Sequence, residues 1–346
     1  MTPLEAAAPP PPQGGAPSGP AKPDPRPPLA RQRQVRRPVH GVLLLDKPLG
    51  WTSNDALQKA KWLLRAEKAG HTGTLDPLAT GLLPLCFGAA TKFSQVCLDA
   101  DKAYRATLHL GQRTRTGDRE GAVIEERPVQ VSRAGIEAAV AGLTGAIRQL
   151  PPMFSAHKKD GRALYEYARA GIEVERAPRS VTIHSIDIID WQDHALVIDV
   201  RCSKGTYVRT LAEDIGQALG CGAHLSGLRR TGSGPLSLAG AVSLADLESM
   251  IEADRLALLQ PVDSLLADWP ALALDAAEAG RFLTGLRRRV AVADAPALRI
   301  YGPETAAFLG SAHVSAGELI ADRLLSPAEV QSLLLNAVPE ALAAAA

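Results

Sequence analysis

Apolar positions change their period several times along the chain, and each change marks an element. HGVLLLD (residues 40–46) is a short continuous apolar run, the pattern of a buried strand, and it opens the ordered part of the chain near Val39. Beyond it Ala56, Leu57, Ala60, Leu63 and Leu64 recur with the helical period, which predicts a helix capped by Thr52 or Ser53. AYRATLHLG (103–111), VTIHSIDII (181–189) and ALVIDVRC (195–202) alternate like half-buried strands. Helical patterns intervene at about 133–142, with Ser132 as the cap, and at about 163–170, 206–219 and 244–254. Strands separated irregularly by helices and hairpin-like turns predict an α+β fold with a mixed, mainly antiparallel sheet flanked by helices.

That pattern defines a domain over residues 39–260. After Pro261 and Pro270, the apolar pieces RRRVAVAD, LRIYG and AAFLGSAHV predict a small β-rich C-terminal unit over 262–346. Residues 1–38 hold twelve of the 26 prolines and lack any apolar periodicity, so they read as a disordered Pro/Arg-rich tail.

Composition narrows the function classes. With 46% hydrophobic and 22% charged residues the chain is an ordinary globular one. No apolar run approaches the roughly 18–20 residues that cross a bilayer, and the N-terminus lacks an apolar signal core, so no membrane partner and a cytoplasmic location are expected. Cys86, Cys97, Cys202 and Cys221 form no CxxC pair, which predicts reduced, packed thiols and neither zinc nor disulfides. There is no GxxxxGK[ST] loop and no complete GxGxxG, so no nucleotide cofactor and no metal are expected. No repeat or heptad run argues for assembly, and a monomer is the expectation. Net charge is only +1, and the tail alone carries six basic and two acidic residues. A nucleic-acid site must therefore be a local patch on a near-neutral body. Four basic clusters could supply it: Arg113, Arg115 and Arg119; Lys158, Lys159 and Arg162; Arg229 and Arg230; and Arg287, Arg288 and Arg289. Each alone also reads as a solvated face.

One carboxylate stands apart. In GHTGTLDPLATGLLP (70–84) Asp76 is set among small and apolar residues, with Gly70, Gly73 and Gly81 as joints and Pro77 fixing the backbone after it. Asp-Pro starts turns often, but no Lys or Arg neighbours this Asp in the sequence. A lone carboxylate in a glycine-jointed loop is a candidate nucleophile or base.

The segment resembles the GHTGxLDPxATGxLP loop of the bacterial tRNA pseudouridine synthase B (TruB) family. GVLLLDKPLGWTSND (41–55), GAATKFSQ (88–95), DKAYRATLHLGQRTRTGD (101–118), PPMFSAHKKDGRALYEYARAGIEV (151–174) and CSKGTYVRTLAEDIGQALGCGAHLSGLRR (202–230) are similar to further family blocks in the expected order. The likeness fades after about residue 245.

The resemblance implies a pseudouridine synthase core with a small PUA-like C-terminal domain that contacts RNA. It implies cofactor-free isomerisation of the T-loop uridine of tRNA, position 55 in the usual count, on a T-arm stem-loop and without guide RNA. Asp76 matches the family nucleophile, Arg209 the arginine that pairs with it, and Tyr104 the tyrosine that stacks on the base and accepts a proton. Tyr207 and Leu228 match contacts to the base, and His71 the histidine that disrupts the RNA stack as the nucleotide is everted. A carboxylate shielded from water needs a compensating cation, the role the resemblance gives Arg209. Lys47 and the Lys158, Lys159, Arg162 cluster are expected backbone contacts, and 151–174 is expected to form a thumb that orders on RNA. Three other readings stay open at this stage: a related synthase acting on another RNA, an RNA-folding factor with catalysis secondary, and a glycosidase. The last needs a second acid within about 10 Å, which the Asp76 loop does not supply but a distant residue could.

Overall fold

The computed structural model describes residues 35–155, 157–303 and 307–343, with side chains as far as Leu335. The predicted tail, up to Gln34, lies outside the described residues. Arg37 is already part of the fold: its N–H donates to Arg65 O at 2.9 Å and its guanidinium pairs with Glu252.

Ten strands make the main sheet. In spatial order they are Val242–Ser243, Gly41–Lys47, Ala79–Phe87, Ala223–Ser233, Lys102–Leu110, Ala195–Cys202, Arg179–Gln192 and Gly145–Gln149, with Ala69–His71 and Leu236–Ser237 paired at its side. Gly41–Lys47 runs parallel to Val242–Ser243, and Ala79–Phe87 to Ala223–Ser233; the remaining pairings are antiparallel. The sheet is thus mixed and mainly antiparallel, as the pattern of elements predicts.

The helices follow their caps. Thr52 Oγ1 accepts from Asp55 N–H and starts the helix Ser53–Leu63, while Ser132 does the same for Arg133–Gly142 through Gly135 N–H. The continuous helix expected at 244–254 is instead two, Leu244–Ser249 and Glu252–Ala257. Arg255 explains the break, because its guanidinium takes the Leu247 and Glu248 carbonyls at the end of the first helix and stands in for the helical bonds.

Ala79–Phe87 is the strand the sequence hides, since Gly81 and Pro84 both argue against one. Gly81 has φ +95°, and a Cβ there would lie 2.3 Å from the Arg230 carbonyl. Only glycine allows the two strands to approach so closely. Pro84 falls between the stretches paired with Ala223–Ser233 and with Ala69–His71, and its carbonyl accepts Thr72 N–H at 3.1 Å.

Helices Arg133–Gly142 and Val208–Ala218 pack apolar residues such as Ile136, Leu211 and Ile215 onto Leu108, Ile198 and Val200 of the sheet. A second core joins Ser53–Leu63 to Gly41–Lys47 and Ala79–Phe87. The C-terminal five-stranded sheet runs Ala271–Ala273, Ala295–Tyr301, Phe308–Ser315, Glu318–Leu324, Arg288–Arg289. Of RRRVAVAD only Arg288–Arg289 is strand, and ALALDAAEAG contributes both Ala271–Ala273 and part of the helix Ala276–Leu283. This sheet does not stand apart from the rest: Phe93 meets Phe308 at 5.3 Å between ring centroids, in a core that also holds Val42, Leu82, Phe282 and Ile300. All four cysteines are free and buried. Among the described residues no helix is long and apolar enough to cross a membrane.

Candidate active site

Two neighbouring residues at the start of one helix divide the labour. Thr52 caps the helix, whereas Ser53 turns its hydroxyl onto the Asp76 loop, donating to Leu75 O at 3.0 Å and accepting Leu75 N–H at 2.8 Å. The residue before Asp76 is therefore held at both polar atoms. On the other side of Asp76, Gly50 N–H donates to Pro77 O at 2.9 Å, and Ala79 N–H closes a turn on Asp76 O at 3.0 Å. Arg230, 1% exposed, fastens the loop from beneath through Leu82 O at 2.6 Å and Gly73 O at 3.2 Å. A loop with this many backbone attachments holds its carboxylate in place without using the carboxylate itself.

The Asp76 side chain is 49% exposed, and Arg209, itself 8% exposed, donates from Nη2 to Asp76 Oδ2 at 2.9 Å. The protein's own residues therefore shield the arginine far more than the aspartate. The same guanidinium donates to Phe154 O at 2.7 Å and Thr116 O at 3.3 Å, and lies 3.5 Å from Asp118 Oδ2. Asp118 is the second acid that the loop itself lacks. It is buried and held by Thr116 Oγ1 at 2.5 Å and Glu120 N–H at 3.1 Å. Facing the arginine from inside, it orients Arg209 and has no open face for a glycosidic oxygen. The arrangement supplies one accessible carboxylate with its counter-ion fixed from behind.

Tyr104, on Lys102–Leu110, pairs in register with Arg230 and Val200. Burial pushes its phenol above the ordinary value of 10.0, with Arg230 opposing and Asp76 adding to the rise. His71 ends the strand Ala69–His71; burial and then the nearby Arg230 bring it below 6.5, and its Nδ1 is buried without a partner. Tyr207 occupies the N-cap position of Val208–Ala218, two residues before Arg209. Leu228 pairs with Ala79 and Ala106 and lines a cavity of about 290 Å³ shared with Leu49, Leu78, Arg105, Arg119 and Arg229.

Comparisons with known proteins identify the family. The model described as TruB family pseudouridylate synthase (N terminal domain) matches residues 61–208, and that described as tRNA pseudouridylate synthase B C-terminal domain matches 209–267. The chain belongs to the TruB family of pseudouridylate synthases. It is 58% identical over 317 residues to tRNA pseudouridine synthase B of Verminephrobacter eiseniae (strain EF01-2), covering 90% of this chain and 96% of that protein. The protein of the same name from Burkholderia mallei (strain ATCC 23344) is 54% identical over 302 residues, covering 85% and 97%. Among solved structures a Cbf5-Nop10-Gar1 complex superposes with a TM-score of 0.64 at 25% identity, over 84% of this chain and 86% of that one. The two family models meet at Val208 and Arg209, inside one helix, so their border is no border of the TruB-family fold.

Several basic residues of this TruB-family chain sit elsewhere than expected. Lys47 is fully buried; its ammonium donates to Pro48 O at 2.9 Å and Trp51 O at 2.6 Å, and burial brings it down to about 8. Its place is inside the turn that reaches Pro77, with the ammonium turned onto backbone carbonyls. Arg230 is in the core and Arg229 forms a two-bond pair with Asp46, so this cluster is not an open patch. Alternation along a strand already requires two consecutive arginines to face opposite sides. In the segment expected to form a thumb, Lys158–Lys159 and Arg162–Ala163 form a hairpin ahead of the helix Leu164–Arg169. Lys159 Nζ donates to Glu175 O, and Arg162 pairs with Glu166 and lies over Tyr167. Ser53, Asp118 and Arg230 fasten the Asp76 loop or Arg209, roles the motifs did not reveal: Ser53 read as a candidate helix cap, Arg230 as part of a basic patch, and Asp118 only as the end of a matching block.

Proposed function

We propose that this TruB-family chain isomerises the T-loop uridine of tRNA, position 55 in the usual count, to pseudouridine. It acts in the cytoplasm as a monomer on the T-arm stem-loop, without guide RNA. The observation that carries the reading is the pair of a half-exposed Asp76 and a buried Arg209 at 2.9 Å. The relatives named tRNA pseudouridine synthase B, aligned over most of the chain, support tRNA as the substrate class.

The reaction breaks the N1–C1′ bond, turns the base and joins C5 to C1′, with no redox change and no water consumed. A fixed carboxylate serves it as nucleophile or as partner of charge developing at C1′. Once RNA covers the site, Arg209 balances that carboxylate where water no longer does. Tyr104 offers its ring to the base, and since burial favours its neutral phenol it takes the C5 proton only while giving its own to solvent, from which N1 of the freed edge takes one up. Neutral His71 enters the RNA stack in place of the everted nucleotide, whose extrusion costs a few kcal/mol. The C-terminal sheet is proposed to meet the RNA as a PUA-like unit.

The test is pseudouridine formation on an unmodified tRNA transcript, read by mass spectrometry, for the intact chain and Asp76→Asn. Product at the T-loop site from the intact chain alone supports the reading. Tight tRNA binding with no product from either would overturn it and favour a binding role.

A further inference from the structure

Gln149 ends the edge strand Gly145–Gln149 and is 1% exposed. A buried primary amide is costly unless both its ends are satisfied. Both ends of this one go to a single residue: Oε1 accepts Tyr207 N–H at 3.0 Å, and Nε2 donates to Tyr207 O at 3.3 Å. The reverse orientation would set carbonyl against carbonyl, so the amide has one arrangement.

Tyr207 stands at an N-cap position where no side chain caps the helix, and its carbonyl also accepts the first helical bond, from Leu211 N–H. Gln149 thus grips the peptide that launches the Arg209 helix. Five residues further on, Phe154 O takes the Arg209 guanidinium at 2.7 Å. The stretch 149–154 therefore holds the same helix start twice, by the backbone of Tyr207 and by the side chain of Arg209.

We propose that Gln149 is a positioning residue for the isomerisation: without touching substrate it sets Tyr207 and Arg209 against Asp76. The inference rests on the reading of Arg209 and Asp76 as the catalytic pair. Displacement of a catalytic group by about 1 Å costs on the order of 100-fold in rate, and nothing else among the described side chains bonds both polar atoms of the Tyr207 backbone.

Gln149→Leu removes both bonds at similar volume. It is expected to lower kcat about 10- to 100-fold with KM within about threefold, measured on tRNA transcript after correction for the folded fraction. Gln149→Glu keeps the acceptor and regains the donor only when protonated. Its rate relative to the intact chain should rise as pH falls, a response that a loss of packing would not produce. Equal corrected rates for Gln149→Leu and the intact chain, or a pH-independent ratio for Gln149→Glu, overturn the proposal. An intact chain inactive on tRNA would sink the functional reading instead. In that event the Arg209 guanidinium NMR resonances still decide: they should shift in Gln149→Leu, and an unshifted spectrum overturns the proposal.

Discussion

Replacing Arg230 by leucine would leave the Leu82 carbonyl, in the buried core, and the part-buried Gly73 carbonyl without their donor. A loss of about 2–4 kcal/mol is expected in urea unfolding, together with lower turnover because the Asp76 loop loses its lower attachment. A change below about 1 kcal/mol would mean that water replaces the guanidinium. His71 gives a pH signature. Burial lowers it below 6.5, as it does His40 and His109, so each binds a proton less readily folded than unfolded. Stability attached to these groups is complete above pH 6.5 and falls as pH drops from there through their folded values. Between pH 7.5 and 5.5 the intact chain should therefore lose more unfolding free energy than His71→Asn, by at most about 1.4 kcal/mol per pH unit. Parallel curves for the two would refute the assignment.

At the scale of elements, Thr52 and Ser53 divide helix capping from attachment of the Asp76 loop within one helix start. Thr52→Ala should cost about 1 kcal/mol in stability with kcat nearly unchanged, since its bonds stay inside the helix. Ser53→Ala frees Leu75 from both of its bonds and should lower kcat about tenfold or more at a similar cost in stability. Thermal melts paired with single-turnover rates check both, and equal effects on kcat would refute the division of roles. The strand Ala79–Phe87 carries the same lesson. Its pairing needs a glycine beside the Arg230 backbone, a requirement set by a strand some 150 residues away.

Across the molecule, the catalytic and C-terminal sheets share one core through Phe93 and Phe308. Lys92 adds a polar tie, donating to Leu324 O and Glu329. Phe308→Ala should therefore cost about 3–5 kcal/mol and lower a single calorimetric transition that includes the catalytic sheet. Two separate transitions, with only one shifted, would show the sheets to be energetically independent.

Residues close in sequence were legible without coordinates. The cap at Thr52 or Ser53, the cap at Ser132, the helical periods and the alternating strands around Tyr104 and Ile198 depend on interactions within a few residues, which the pattern records directly. The Asp76 loop was legible for the same reason, as one continuous motif of glycines, proline and carboxylate. The pairing of that carboxylate with Arg209 was implied by the family resemblance; tertiary structure alone decided the rest of what surrounds it. Arg209 and Asp118 come from different blocks, Arg230 enters the core while Arg229 faces Asp46, Lys47 turns inward onto carbonyls, and Gln149 reaches Tyr207 across 58 residues. Such pairings depend on which strands lie side by side, and strand order follows from the packing of the whole sheet, so no local stretch of this chain encodes it.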